Sequence, residues 1–201
     1  MPGGAHPHVF IDAGLDFRFD DAGALDEIGV VWAFDDFSSM LIVEDMEMDS
    51  DHDGALTEAE IAGLTEMFTD WPEDFAGDLY LSRDGRAVPL SGPRDLRVDW
   101  REGRLIVTHA RAPAEPLPAG GAIGAQVYDP TYYTYYELTA PPEVSGRADC
   151  RLTVEPADIA AAQERYAEEL DKLSNEEILE EGKTPEIGGA FADRVELACA
   201  E

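Results

Sequence analysis

IGVVWAFDDFSSMLIVEDMEMDSDHDGALTEAE, residues 28–60, changes its repeat partway along, and that change decides the fold. Ile28, Val30, Trp32 and Phe34 alternate with their neighbours, the two-residue period of a half-buried strand. From Asp36 the period lengthens: Phe37, Met40, Leu41 and Glu44 recur at helical spacing and predict a helix over 36–48. An acidic loop follows. TEAEIAGLTEMFTD then reads as a second helix, with Thr57 as N-cap and Glu60 closing a capping box.

The loop DSDHDGALTEAE, residues 49–60, matches a calcium loop of the EF-hand type position by position. Asp49, Asp51 and Asp53 supply the first three carboxylates, Gly54 the sharp turn and Ala55 a backbone carbonyl. Leu56 is the inward apolar residue, Thr57 the ninth-position donor and Glu60 the bidentate end. Calcium binding is the expectation; an empty, decayed loop is the alternative. A lone loop lacks the usual partner, so the ion is expected to act as a structural pin rather than a switch.

Outward from this segment the chain is rich in strands. Residues 9–19, VFIDAGLDFRF, set Ile11, Ala13, Leu15, Phe17 and Phe19 on one face and Asp12, Asp16 and Arg18 on the other. Hairpins turn at Asp84–Gly85 and Glu102–Gly103. The prolines of 112–121 mark a surface connection. AIGAQVYDPTYYTYYELTA reads as two strands broken at Asp129–Pro130, CRLTVEP and RVELACA as two more, and 156–181 as a helix ending at Gly182. The pattern predicts an α+β fold. It is an antiparallel β-sandwich-like body, one domain over 1–201, with the helix–loop–helix inserted over 36–70 and a carboxyl-terminal helix.

The 201 residues carry 44 acids against 14 bases, a formal charge of −30. Such a field repels nucleic acid and anionic membrane surfaces and attracts cations and basic partners; solubility in a salty habitat is the plainer cause. No apolar run reaches the roughly 18 residues of a spanning helix, so no membrane insertion is expected. Cys150 and Cys199 form no CxxC pair. They read either as one long-range disulfide suited to an oxidising compartment or as two buried thiols.

The start, MPGGAHPHVF, resembles the small-residue end of a trimmed signal peptide. His6 and His8 share one side of an extended segment, and an amine at His6 would add a nitrogen donor. With Asp35, His109 or Asp129 as a further ligand, such a set suits nickel, cobalt, zinc or copper. Two solvated histidines on a mobile start are the simpler alternative. Tyr128, Tyr132, Tyr133, Tyr135 and Tyr136 crowd one short span and read first as packing, second as a binding surface. GxSxG, HExxH, P-loop and dinucleotide motifs are absent from the sequence, so nothing points to an enzyme.

HPHVFID (6–12), the segment 30–60, YDPTYY (128–133) and FADRVELAC (191–199) together resemble DUF1007, a bacterial family of unknown function. The resemblance runs over nearly the whole chain. It implies a periplasmic component of an uncharacterised ABC-type transport system, found beside nickel/cobalt-type permeases. The expected function is a periplasmic, calcium-stabilised binding protein that captures or delivers a divalent transition metal to a membrane transporter component. The alternative is a non-enzymatic interaction module that docks a membrane partner through its tyrosine-rich strand, with calcium purely structural.

Overall fold

The computed structural model describes residues 7–72, 75–118, 120–174 and 183–200. The alternating segments form strands β1 (Val9–Phe19) and β2 (Leu25–Phe34), paired antiparallel with Ile11 opposite Phe34 and Phe17 opposite Ile28. Their alternation is realised as read: Ile11, Ala13, Leu15, Phe17, Ile28, Val30, Trp32 and Phe34 are all buried. On the other face Arg18 reaches Asp16 at 2.9 Å and Glu27 at 2.7 Å.

Helices α1 (Asp36–Asp45) and α2 (Glu58–Thr69) come next, joined by the acidic loop. Then follow β3 (Leu79–Arg83), β4 (Arg86–Val88), β5 (Arg94–Arg101), β6 (Arg104–Arg111) and β7 (Ala122–Val127). The chain finishes with β8 (Thr134–Leu138), β9 (Glu143–Ser145), β10 (Cys150–Glu155), α3 (Ile159–Leu170), a 3-10 turn at Gly188–Phe191 and β11 (Arg194–Cys199). The turns at Asp84–Gly85 and Glu102–Gly103 place both central residues at positive φ, as a type I′ hairpin turn requires.

Two sheets result. One runs β5-β6-β2-β1-β8, with β9 also against β1; the other runs β10-β11-β7-β3-β4. Residues of both sheets, among them Phe17, Leu105, Val107, Val195 and Leu197, enter one buried cluster. The architecture is α+β, and the expectation of a purely antiparallel body is corrected. β8 and β9 lie parallel to β1, with Val9 opposite Thr134 and Asp16 opposite Glu143. The cause is the break after β7, where the chain leaves the second sheet and enters the first running in the direction of β1.

Helix α1 stops three residues before the expected Met48. Glu47 takes a left-handed φ of 51°, Met48 N–H bonds Val43 O at 2.9 Å, and Glu47 N–H bonds Glu44 O at 3.0 Å. That is a Schellman ending, and it aims the chain into the loop. At the far end of the loop the capping box of Thr57 and Glu60 is present. Helix α3 begins at Ile159 rather than 156 and ends at Leu170; residues 171–174 form a turn instead of continuing it, and 175–181 of the expected helix lie outside the described residues.

Cys150 and Cys199 face each other across β10 and β11 and form a disulfide, Cα to Cα 4.0 Å. The bridge fastens edge strand β10 to the final strand. It joins positions 49 residues apart, a long loop whose closure stabilises by about 2–4 kcal/mol.

Candidate functional site

The acidic loop is organised by its own carboxylates. Asp49 accepts from Asp53 N–H at 3.0 Å and from Gly54 N–H at 3.1 Å, and Asp53 accepts from Ala55 N–H at 2.8 Å. Gly54 adopts φ 79°, a turn that ordinary side chains resist. The loop is thereby coiled inward, and donor oxygens of Asp49, Asp51 and Asp53 converge within 4.8 Å of one another. Among the described residues this is the one group of three or more His, Cys, Asp or Glu side chains that does so. Three hard oxygen donors at that separation can coordinate a divalent ion.

Glu60 stands differently. Its carboxylate accepts from Thr57 N–H and Oγ1, each at 2.8 Å, and from Ser50 N–H at 3.3 Å. These bonds to Thr57, backbone first, hold its pKa below the usual carboxylate range. Glu60 therefore ties the end of the loop to its beginning. Thr57 Oγ1 accepts from Glu60 N–H, and Leu56 packs against the core. Trp100 Nε1 of β5 donates to Gly54 O at 3.1 Å and attaches the loop to the first sheet.

His6 lies outside the described residues. Backbone pairing places His8, Asp35 and Asp129 around the start of β1, but among the described residues their ligating atoms do not converge as those of the acidic loop do. His8 N–H bonds Tyr133 O at 2.8 Å and its ring stacks on Tyr133 at 4.9 Å between centroids. Asp35 N–H bonds Phe10 O at 3.0 Å, while its Oδ1 caps α1 through Ser38 N–H at 2.6 Å. Asp129 accepts from Thr131 N–H and Oγ1, each at 2.8 Å, and from Thr134 N–H at 3.0 Å, so it holds the break before β8.

His109 is not brought to this end. It pairs with Val30, which pairs with Leu15, ~23 Å along β1 from His8 at ~3.3 Å per residue. It sits buried against Trp32 at 4.5 Å and Trp71 at 5.4 Å. Burial, then the neighbouring Arg111 charge, lowers its pKa to about 4, so the ring is neutral. Neither of its ring nitrogens has a hydrogen-bond partner among the described residues.

Beside it lies a polar cluster that sequence reasoning missed. Asp78, buried before β3, accepts from the Tyr136 hydroxyl at 2.6 Å. Burial is the main cause that raises its pKa to about 7; the Tyr136 bond and Arg111 oppose that rise, and Asp129 adds to it. Arg111 donates Nη1 to Ala76 O at 2.8 Å and Nε to Ser91 O, and lies 4.9 Å over the Trp71 ring. Nothing in the spacing of Asp78 distinguishes it from the many surface acids. Only the placement of Tyr136 opposite Ile11, inward on β8, brings the two together.

Comparison with curated proteins finds no match. The family model described as a protein of unknown function, DUF1007, matches residues 1–199. With that match across nearly its whole length, this acidic, disulfide-linked α+β chain belongs to the DUF1007 family.

Proposed function

We propose that this protein is a calcium-stabilised periplasmic binding protein that captures or delivers a divalent transition metal for a membrane transporter. One observation carries the calcium half: Asp49, Asp51 and Asp53 converge in a loop already coiled by its own hydrogen bonds and closed by Glu60. Calcium takes six to eight oxygen ligands, and Ala55 O, Thr57 and Glu60 are the remaining donors of an EF-hand loop. Because the loop is fastened to β5 through Trp100, an ion there would stiffen the helix pair against the sheet.

The transition-metal half rests on His8, Asp35 and Asp129 sharing one end of β1, with His6 two positions before His8. Nickel, cobalt, zinc or copper(II) would take the imidazoles first, with a carboxylate completing the set. Asp129 would have to loosen its hold on Thr131 or Thr134 to join. His109 has no part in this set. The charge of −30 enriches cations near the site without choosing among them. The disulfide suits an oxidising compartment, and the family resemblance supplies the transporter context. The role is binding rather than catalysis.

A second reading has one observation in its favour. Tyr133 is exposed with its ring stacked on His8 at 4.9 Å, while Tyr136 is buried and Tyr132 stacks on Phe191 at 3.6 Å, so a membrane partner would meet Tyr133 together with His8.

Calorimetry in saturating calcium tests the main reading, with nickel, cobalt, zinc and copper(II) titrated into the protein and into His6→Ala/His8→Ala. One tight site lost in the variant is expected. A site indifferent to both histidines, or none, overturns metal delivery and favours docking through Tyr133.

A further inference from the structure

Helix α1 is inverted. It turns Ser38, Ser39 and Val43 inward and leaves Phe37, Met40 and Leu41 outside at 61%, 49% and 38% exposure. With Glu44 these fall on one helical face. The orientation is enforced by hydrogen bonding: Ser39 Oγ accepts from Leu105 N–H at 2.9 Å, and both groups are buried. Rolling the helix to hide its apolar face would strand that buried amide without a partner. The apolar stripe is therefore a fixed feature of the surface.

The stripe joins two concave regions. Phe37 and Phe10, with Tyr135, line a cavity of about 450 Å³; Met40, Val43, Met48 and Trp100 line another of about 710 Å³. Acids border both: Asp12, Asp35, Asp36 and Glu137 at the first, Glu44, Glu47 and Asp49 at the second. Among the described residues Arg104 is the one lysine or arginine lining either, and it is committed to Asp12 Oδ2 at 2.7 Å and to the carbonyl of Phe34. Methionine side chains adapt to varied apolar partners.

We infer that the outward face of α1, with the cavities at its two ends, docks a basic amphipathic helical segment of a partner protein. The charge pattern selects it: an apolar stripe within an acidic border calls for apolar anchors flanked by lysine or arginine. Phe37 and Glu44, one at each cavity, lie ~10 Å apart along α1 at ~1.5 Å per residue, which matches anchors two turns apart on a partner helix. A second copy of this chain would bring the same acidic border, and an anionic membrane would be repelled by it. The inference needs no transition metal and stands apart from the delivery reading.

The test uses two fluorescent model peptides of identical helical apolar pattern, one of leucine and lysine, one of leucine and glutamate. Anisotropy is read in saturating calcium for the full chain, for Phe37→Ser/Met40→Ser, and for Val154→Ser, an exposed apolar residue on β10. The leucine–lysine peptide should bind the full chain and Val154→Ser alike and lose roughly tenfold or more on Phe37→Ser/Met40→Ser. The leucine–glutamate peptide should not bind. Amide chemical-shift mapping of the unaltered protein gives the same decision without any substitution: changes centred on α1 and Trp100 support the docking face. Scattered changes, no binding, or equal affinity for Phe37→Ser/Met40→Ser overturn it. So does dimerisation, or adsorption to phosphatidylglycerol vesicles, that the same variant abolishes.

Discussion

The Trp100 indole N–H donates to the Gly54 carbonyl at 3.1 Å, and this bond joins the tip of the acidic loop to the β5–β6 hairpin. Trp100→Phe keeps an aromatic ring and removes the donor. Loss of the bond should lower the unfolding free energy of the calcium-free protein by about 1 kcal/mol, and calcium binding, read by titration, should weaken by up to roughly fivefold as the loosened loop must be ordered around the ion.

The hydrogen bonds that coil the loop fall to Asp49 and Asp53, and Asp51 lies beside them as the third carboxylate. Asp51→Asn should therefore lower calcium affinity by roughly tenfold or more while the helices, read by far-UV circular dichroism, keep their content. An unchanged affinity would mean that the three carboxylates do not share an ion.

Asp78 and His109 lie in one buried region and act on stability with opposite signs. Asp78, raised to about 7, keeps its proton in the folded chain after the unfolded chain has released it. Its contribution is full below the ordinary carboxylate range and is lost as pH rises toward about 7, by ~4 kcal/mol at most at ~1.4 kcal/mol per unit. His109, lowered to about 4, contributes above its ordinary value of 6.5, and that contribution is lost as pH falls toward 4. Asp78→Asn should gain stability relative to the unaltered protein as pH rises from acid to neutral. His109→Phe should gain as pH falls below 6.5. Urea unfolding across that range reads both slopes.

Reducing the Cys150–Cys199 bridge, or replacing both residues by serine, should cost about 2–4 kcal/mol, because closure of the long loop no longer limits the unfolded chain. Thermal unfolding with and without reductant measures it. Calcium affinity should not follow, since the bridge lies in the second sheet and the loop is fastened to the first.

Gly188 leaves no room for a side chain: a Cβ there would stand 1.8 Å from the Asp129 carbonyl oxygen. Gly188→Ala should push the 3-10 turn off the break before β8 and destabilise by about 1–3 kcal/mol or more, read by chemical denaturation.

The sequence by itself determined the elements whose cause is local. Alternation in 9–19 and 28–34 produced the buried faces of β1 and β2, because successive strand residues point to opposite sides whatever lies beyond them. Thr57 and Glu60 close their capping box within one turn, and the spacing of Asp49, Asp51 and Asp53 is itself the geometry of the acidic cluster. Tertiary structure decided the rest. Helical spacing marked Phe37, Met40 and Leu41 as one face, but the buried bond between Ser39 and Leu105 turned that face outward. Whether Cys150 and Cys199 met depended on β10 and β11 pairing in that register. Strand direction in β8, the distance of His109 from His8, and the pairing of Asp78 with Tyr136 all follow from which strands lie side by side. Residues far apart in the chain meet there, and local pattern carries no information about long-range neighbours.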